Sequence, residues 1–341
     1  MKKSKVFINS LIVLLISIFL IYYILKDNFT MSIKVLSSVN IFWLILTIII
    51  YIIYFLMETI IFKQLINEHK KDYSYKSSIK LHLMSKFFNG ITPFSSGGQP
   101  FQLIELKKED ISYANGTTVL IKHFLILQSS IFILSIIGII SNLIFNFFTP
   151  VGILKILIIL GIIINFLLIG IIILLSTKID IFQKTIYFFI NILSKVKIIK
   201  NKNETIEKIN KSSLDYQKSY QELMNNKKYF IKLVLIESLA LLCDFSISFF
   251  AFKAVGSPYD FYIGYVTISI FINLIGSYIP IPGGTGGMEY AFLNLFIFII
   301  PKMYVSVSLI LWRIIDYYLP MIIGGITFNY ERTKRNLKTI K

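Results

Sequence analysis

Three long, mostly apolar runs limit what this chain can fold into more than any other feature. They are Val6–Leu25, Ile41–Phe62 and Ile156–Leu175, and each reaches the roughly 20 residues that an α-helix needs to cross about 30 Å of hydrocarbon. Only helices and closed barrels satisfy their backbone hydrogen bonds in lipid, and continuous apolar runs are not the alternating pattern of barrel strands. The sequence therefore predicts an all-α, polytopic integral membrane protein.

Composition and charge placement agree with this prediction. Hydrophobic residues make up 55% of the chain and charged residues 16%, against about 25% charged residues in soluble domains. The net charge of +17 comes from Lys and Arg that crowd at the N-terminus and in residues 63–122, 178–232 and 332–341. Such asymmetry follows the positive-inside rule, and anionic lipid headgroups are sufficient partners for it. We therefore expect no nucleic-acid partner and place both termini in the cytoplasm. A richness in Ile, Lys and Asn suggests an AT-rich bacterial genome, and we expect the protein in the plasma membrane of a bacterium.

The hydropathy pattern predicts about eight membrane spans in a single transmembrane domain. The first run is longer than a signal-peptide core and lacks a small-x-small cleavage site, so it is expected to remain as a span. The first half covers about 1–177 and the second 229–331, and 178–228 forms a cytoplasmic segment. That segment is either an amphipathic helix, with Ile206, Ile209, Tyr216, Tyr220 and Leu223 on one face, or a solvated linker. The predicted spans are approximately 6–26, 39–62, 117–146, 152–175, 229–252, 260–280, 288–301 and 303–329, and 288–301 is too short to cross alone.

Two breaks interrupt the apolar pattern, and both read Pro-x-x-[Ser/Thr]-Gly-Gly. The first break is Pro93–Gly98, inside residues 89–102, and the second break is Pro282–Gly287, inside residues 277–290. Proline lacks the donor N–H of a helix, and paired glycines have low helix propensity, so neither stretch can be continuous helix. Unwound backbone at membrane depth persists only where protein buries it or where it lines a wet cavity. Similar breaks in the two halves of the chain indicate two re-entrant, transporter-like half-sites.

These breaks carry the residues that we predict to bind a ligand. Backbone N–H groups and helix N-termini at the breaks would attract a phosphate or a carboxylate. The alternative, that the glycines only permit close helix crossing, stays open. The predicted headgroup-binding residues are Thr92, Ser95, Ser96, Gly97, Gly98, Gln99, Gly283, Gly284, Thr285, Gly286, Gly287, Glu289 and Arg313.

Ionisable residues within apolar spans are further candidates, because charge at membrane depth is costly. Glu237 and Asp244 lie seven residues apart on one helix face and are predicted to share a cavity. Arg313 and Asp316 form either an ion pair or a ligand contact, and Glu58 and Glu105 are expected to be interfacial. His69, His82 and His123 have no partners at metal-ligand spacing, and Cys243 is the only cysteine. We therefore expect no metal, no cofactor and no catalytic residues.

Three stretches of the sequence carry a resemblance to a known family. They are Thr92–Phe101, Ile281–Tyr290 and Trp312–Pro320, and with them the chain resembles the lysylphosphatidylglycerol synthase transmembrane region, the flippase part of the multiple peptide resistance factor. The resemblance implies a protein that moves or binds an anionic or aminoacylated phospholipid. Full-length members attach lysine to phosphatidylglycerol and move the product to the outer leaflet, which lowers the negative surface charge and repels cationic peptides.

The resemblance leaves two other functions open. One is phosphatidylglycerol lysyltransferase activity with charged tRNA, for which the basic residues 178–232 are the only candidate tRNA surface. In the family that activity belongs to a cytoplasmic C-terminal domain, and this chain ends at Lys341, so we do not expect it from these residues alone. The other is an accessory role beside a separately encoded transferase. A homo-oligomer is also compatible with the sequence.

Overall fold

The computed structural model describes residues 37–150, 152–178, 223–277 and 279–339, together with scattered residues between 180 and 221. Within these ranges the chain forms helices and turns. The predicted first span, 6–26, and most of the predicted amphipathic segment lie outside the described residues. The helices are α1 Ile41–Asn67, α2 Tyr75–Gly90, α3 Gly98–Lys108, α4 Tyr113–Phe145, α5 Gly152–Thr177, α6 Lys227–Ala254, α7 Tyr262–Gly276, α8 Gly287–Phe296, α9 Lys302–Arg313 and α10 Leu319–Thr339.

Five of the described helices are long and apolar enough to cross a membrane, which confirms the all-α polytopic architecture. They are α1, α4, α5, α6 and the continuous stretch Lys302–Arg335 formed by α9 and α10. The predicted span 260–280 is realised as α7, which ends at Gly276 because the second break follows it. The predicted span 288–301 is the short helix α8, which begins directly at the second break, as expected.

Local sequence signals explain where the long helices begin. Asn40 accepts a hydrogen bond from the Phe42 N–H at 3.0 Å, and Ser112 accepts one from the Asn115 N–H at 3.1 Å. Such side chains replace the missing partners of the first helical N–H groups. The cap at Ser112 starts α4 several residues before the predicted span, and its 33 residues make it about 50 Å long at roughly 1.5 Å per residue. Helix α4 therefore extends beyond the hydrocarbon thickness or tilts.

Two helices were not anticipated by the hydropathy pattern. Helices α2 and α3 lie in the basic segment between the first two described spans and flank the first break. Both carry many polar residues and are too short to be recognised as spans. Helix α2 packs closely against α10, where a Cβ on Gly324 would overlap the Leu83 carbonyl oxygen. Small residues thus permit close helix crossing at this contact.

The interior contains two main hydrophobic clusters, joined by α6. One cluster fills the space among α4, α5, α6, α7, α8 and α9, with Tyr265, Phe252 and Phe292 fully buried. The other joins α1, α2, α3 and the first halves of α4 and α6, around Phe62 and Leu106. Helix α6 packs against α1, α4, α7 and α9. This central position brings the polar residues of α6 beside those of both halves of the chain.

Candidate functional site

The two breaks fold into matching short 3₁₀ turns, Pro93–Ser95 and Pro282–Gly284, which pack against each other. In each turn the two residues after proline have left-handed backbone angles. The φ values are 55° for Phe94 and 50° for Ser95, and 61° for Gly283 and 62° for Gly284. The two breaks therefore match in backbone conformation as well as in sequence.

A cavity of about 400 Å³ lies beside the two breaks. This volume falls within the range of roughly 300–1,000 Å³ that is usual for small-molecule sites. Helices from both halves of the chain contribute to its wall, and many of the lining residues are polar. The polar lining residues are Tyr54, Glu58, His82, Ser85, Lys86, Asn89, Ser95, Gln99, Gln102, His123, Gln128, Asp244, Asn273, Ser277, Arg313, Asp316 and Tyr317.

The second break forms a buried wall of this cavity around Arg313, which is 4% exposed. Nε of Arg313 lies 2.7 Å from Oε1 of Glu289, and Nη1 donates to the Gly283 carbonyl at 3.3 Å. Oε2 of Glu289 accepts a hydrogen bond from the Gly286 N–H at 2.6 Å. Nη2 of Arg313 has no hydrogen-bond partner among the described residues. The guanidinium is thus held in place while part of its donor capacity stays free for an anion.

The first break forms the open end of the cavity. Phe94 lines the cavity and is 55% exposed, and Ser95 and Gln99 also combine exposure with a place in the wall. Side chains hold the backbone here, since Thr92 Oγ1 accepts from the Gly97 N–H at 2.8 Å. Asn89 Oδ1 accepts from the Gly98 N–H at 2.7 Å. Exposure at one break and burial at the other give the cavity a mouth and a floor.

The structure divides the predicted headgroup-binding residues into two groups. Those in the cavity wall are Ser95, Gln99, Gly283, Gly284 and Arg313. Those outside the wall are Thr92, Ser96, Gly97, Gly98, Thr285, Gly286, Gly287 and Glu289. Several of the second group position the first: Thr92 and Glu289 hold the breaks, and Thr285 Oγ1 donates to the Pro282 carbonyl at 2.6 Å.

These contacts correct the predicted role of the backbone N–H groups at the breaks. The N–H groups of Gly97, Gly98 and Gly286 were expected to be free for a ligand, but each donates to a side chain within the protein. The polar side chains Thr92, Asn89 and Glu289 satisfy these donors because buried N–H groups without partners are costly. Arg313 and the side chains of the wall are therefore better placed than these three N–H groups to contact a ligand.

The acidic residues of the spans meet in two carboxyl pairs. Asp244 and Asp316 both line the cavity, and their carboxyl groups are in contact. Glu237, which is fully buried, lies behind the wall, where its carboxyl group contacts that of Glu58. Glu58, for which an interfacial position was predicted, is 5% exposed and lines the cavity. Arg313 pairs with Glu289, so of the two alternatives for Arg313 and Asp316 a mutual ion pair is not the one observed.

The π-helical turn Ile314–Tyr318 between α9 and α10 brings Asp316 and Tyr317 into the wall. Pro320 lies two residues after the turn and has no N–H to donate to the carbonyl of Asp316, which accounts for the local widening of the helix. The Tyr317 hydroxyl donates to the Gly90 carbonyl at 2.8 Å. Tyr317 thereby links the second half of the chain to the end of α2.

Helix α2 supplies four of the wall residues that were not predicted as site residues. His82, Ser85, Lys86 and Asn89 recur at helical spacing and all line the cavity. Lys86 Nζ lies 3.0 Å from the Tyr54 hydroxyl, to which it donates. The signal that could have found them is the recurrence of polar residues at three- and four-residue intervals just before the first break.

Comparison with known proteins agrees with this geometry. Residues 10–324 match the model of the family described as the lysylphosphatidylglycerol synthase TM region. No curated protein matches the chain. The matched range includes both breaks and every cavity-lining residue named above. Because this match covers most of its length, the chain belongs to the family of the lysylphosphatidylglycerol synthase transmembrane region.

Proposed function

We propose that this protein binds the headgroup of an anionic or aminoacylated phospholipid in the cavity and moves it across the membrane. The observation that carries the proposal is the guanidinium of Arg313, which belongs to the cavity wall, is buried and held by Glu289 and Gly283, and has no hydrogen-bond partner at Nη2 among the described residues. An arginine fixed in this way is suited to a phosphate group, because its planar donors match two oxygens at once.

The charges in the wall favour an aminoacylated headgroup over a simple anionic one. Besides the two cations, Lys86 and Arg313, the wall contains the carboxyl groups of Glu58, Asp244 and Asp316. Acidic groups would repel a purely anionic ligand, whereas an ammonium group stabilises carboxylates in a medium of low dielectric constant. A headgroup that bears one phosphate and one or two ammonium groups, as lysylphosphatidylglycerol does, satisfies both kinds of charge.

The open end of the cavity suits a lipid. Phe94 and Ile281 are exposed at the two breaks, and the outer faces of α1, α4 and α5 carry many exposed isoleucines and leucines. In this arrangement the headgroup enters the polar cavity while the acyl chains stay in the hydrocarbon. The expected biological consequence is a less negative outer surface and resistance to cationic peptides.

The test is headgroup exposure in reconstituted vesicles. Lysylphosphatidylglycerol is placed in one leaflet, and an impermeant amine-reactive probe measures its arrival in the other. The wild-type protein should raise the rate of arrival, and Arg313→Ala should lower that rate at least about tenfold, since a hydrogen bond to a charged group contributes roughly 1.5–3 kcal/mol. Glu289→Gln should also slow arrival, because it releases Arg313.

The matched control is Lys122→Met. Lys122 is also a buried cation in an ion pair, with Nζ 2.6 Å from Glu68, but it is not part of the cavity wall. Its substitution should reduce stability without a selective loss of transport per folded molecule. Wild-type rates in both Arg313→Ala and Glu289→Gln would contradict the proposal.

A lysyltransferase function or an accessory role beside a separate transferase makes different predictions. Lysylphosphatidylglycerol in lipid extracts of cells that express this chain without a separate transferase, and not in extracts of cells that lack it, would favour the transferase. Co-purification with a transferase, and no transport by the isolated chain, would favour the accessory role. Neither outcome is expected if the cavity is the transport site.

A further inference from the structure

The geometry points to a metal site: we propose that Glu58, His123 and Glu237 bind a divalent first-row transition metal ion, with Zn²⁺ as the best match to these ligands. Three different helices, α1, α4 and α6, contribute one residue each. One ligand atom from each residue lies within 4.8 Å of the other two. The proposal concerns metal binding and does not depend on lipid transport.

Four polar atoms of these side chains have no hydrogen-bond partner among the described residues. Both carboxylate oxygens of Glu237, Oε1 of Glu58 and Nε2 of His123 are buried and without hydrogen bonds among the described residues. Glu237 is fully buried, and the Glu58 and Glu237 carboxyl groups contact each other. Two carboxylates in contact inside a protein repel strongly unless a cation or a proton lies between them.

The spacing between His123 and Glu58 favours a shared metal ion over a direct hydrogen bond between these two side chains. Nε2 of His123 lies 3.7 Å from Oε2 of Glu58, which is longer than a hydrogen bond of about 2.7–3.2 Å. Two ligands of a tetrahedral ion with bonds of about 2.0–2.2 Å lie roughly 3.4 Å apart. Small side-chain rotations therefore bring the ligands to coordination distance.

Ligand type and charge narrow the choice of ion. One imidazole and two carboxylates suit Zn²⁺ and related ions, whereas an all-oxygen set would suit Mg²⁺ or Ca²⁺. A divalent ion would also balance two ionised carboxylates in the interior. The Lys86 ammonium is a nearby cation that acts on both carboxyl groups and donates one hydrogen bond to the Tyr54 hydroxyl, but its single charge does not balance two ionised carboxylates.

The site is accessible and has room for a further ligand. Glu58 and His123 both line the cavity, whereas Glu237 closes the site from behind. Three protein ligands would leave one position of a tetrahedral ion open. His82, another buried cavity-lining residue, has both ring nitrogens unpartnered and lies near Glu58.

The test is metal content of the detergent-purified chain, prepared without chelators and measured by inductively coupled plasma mass spectrometry. About one equivalent of metal per chain is expected for the wild type, and at least about a tenfold decrease for Glu237→Gln and His123→Gln, since loss of one ligand removes much of the affinity. Asp244→Asn is the matched control, because Asp244 lies on the same helix in the other carboxyl pair. It should keep the metal.

A second measurement covers variants that fail to fold. The wild-type protein is stripped with a chelator and titrated with Co²⁺, and visible absorption of a four-coordinate ion should saturate at about one equivalent and be abolished by Zn²⁺. Less than about a tenth of an equivalent of metal in the wild type, before and after incubation with Zn²⁺, would overturn the proposal, as would full metal content in both ligand variants. A metal-free wild type would leave a shared proton as the species between the two carboxyl groups.

Discussion

The two breaks share a motif and a turn geometry but differ in how the turn is held. At the first break the left-handed positions are Phe94 and Ser95, both exposed, and the side chains of Asn89 and Thr92 hold the following N–H groups. At the second break these positions are glycines, both buried. An ion pair between Glu289 and Arg313 lies beneath them.

The difference follows from the space around each turn. A Cβ at Gly283 would overlap the ring of Tyr317, whereas Phe94 projects into the open mouth of the cavity. A left-handed backbone is tolerated by a non-glycine residue only at a cost of about 1–2 kcal/mol. The second break is therefore packed around the Arg313–Glu289 ion pair, whereas the first break lies exposed at the mouth of the cavity.

The largest expected effect is at the ion pair of the second break. Arg313→Met should lower the free energy of unfolding by about 3–5 kcal/mol, because it leaves the Glu289 carboxylate buried and unpaired. The double variant Arg313→Met with Glu289→Leu should recover most of this loss, since it removes both charges. Equilibrium unfolding in mixed micelles measures both values. A double variant as unstable as the single one would show that the pair does not act as a unit.

The second effect tests the glycine requirement. Gly283→Ala should lower the free energy of unfolding by about 2–4 kcal/mol, from backbone strain and from overlap with Tyr317. Phe94→Ala, at the matching position of the first break, should change it by no more than about 0.5 kcal/mol, as an exposed substitution. Thermal unfolding of the two purified variants checks the contrast. Equal losses would mean that the two turns are packed alike.

A smaller effect concerns the side-chain support of the first break. Thr92→Val keeps the shape of the side chain but removes the acceptor for the Gly97 N–H and should lower the free energy of unfolding by about 1 kcal/mol. Thr92→Ser retains the hydroxyl and should lose less than half as much. Hydrogen exchange at Gly97 should quicken in Thr92→Val alone. Equal exchange in both variants would contradict the role of this hydroxyl.

The smallest effect is a pH dependence at the helix that follows the first break. Burial raises the pKa of Glu105, but hydrogen bonds from Arg335 and Lys108 lower it by more, so the net pKa lies below its ordinary value of 4.5. The contacts of the Glu105 carboxylate with Arg335 and Lys108 therefore stabilise the protein at pH values above 4.5. This stabilisation is lost as the pH falls through the lowered pKa of Glu105. At pH 7 wild type should exceed Glu105→Gln by at most about 1 kcal/mol, because Lys108 and Arg335 are partly exposed.

The measurement is the melting temperature of wild type and Glu105→Gln from pH 7 to about pH 3, because the contribution of Glu105 is lost below its ordinary pKa of 4.5. The difference between the two proteins should shrink as the pH falls. A difference that grows toward low pH would have the wrong sign for a carboxyl group with a lowered pKa. Gly283→Ala in the same series should lose stability by a similar amount at each pH, since its effect is steric.

Much of the fold could be predicted from the sequence because its causes are local. The long apolar helices follow from the need to satisfy backbone hydrogen bonds in lipid, and the helices end at the breaks because proline and paired glycines disfavour helix wherever they occur. Helices α2 and α3 were missed because their polar residues face the cavity and other helices. Hydropathy does not distinguish such a helix from a cytoplasmic loop.

Long-range partners were beyond what the sequence could determine. Arg313 might have paired with Asp316 one turn away, yet helix packing places Glu289 against it and turns Asp316 toward Asp244. Likewise, Glu58, His123 and Glu237 have no recognisable spacing, because each lies on a different helix. The sequence alone was enough to predict a helical membrane protein whose apolar pattern is broken twice, because proline, glycine and hydropathy act locally. The tertiary structure was needed to see which charges meet at the breaks, since helix register and packing, which depend on the whole chain, bring distant residues together.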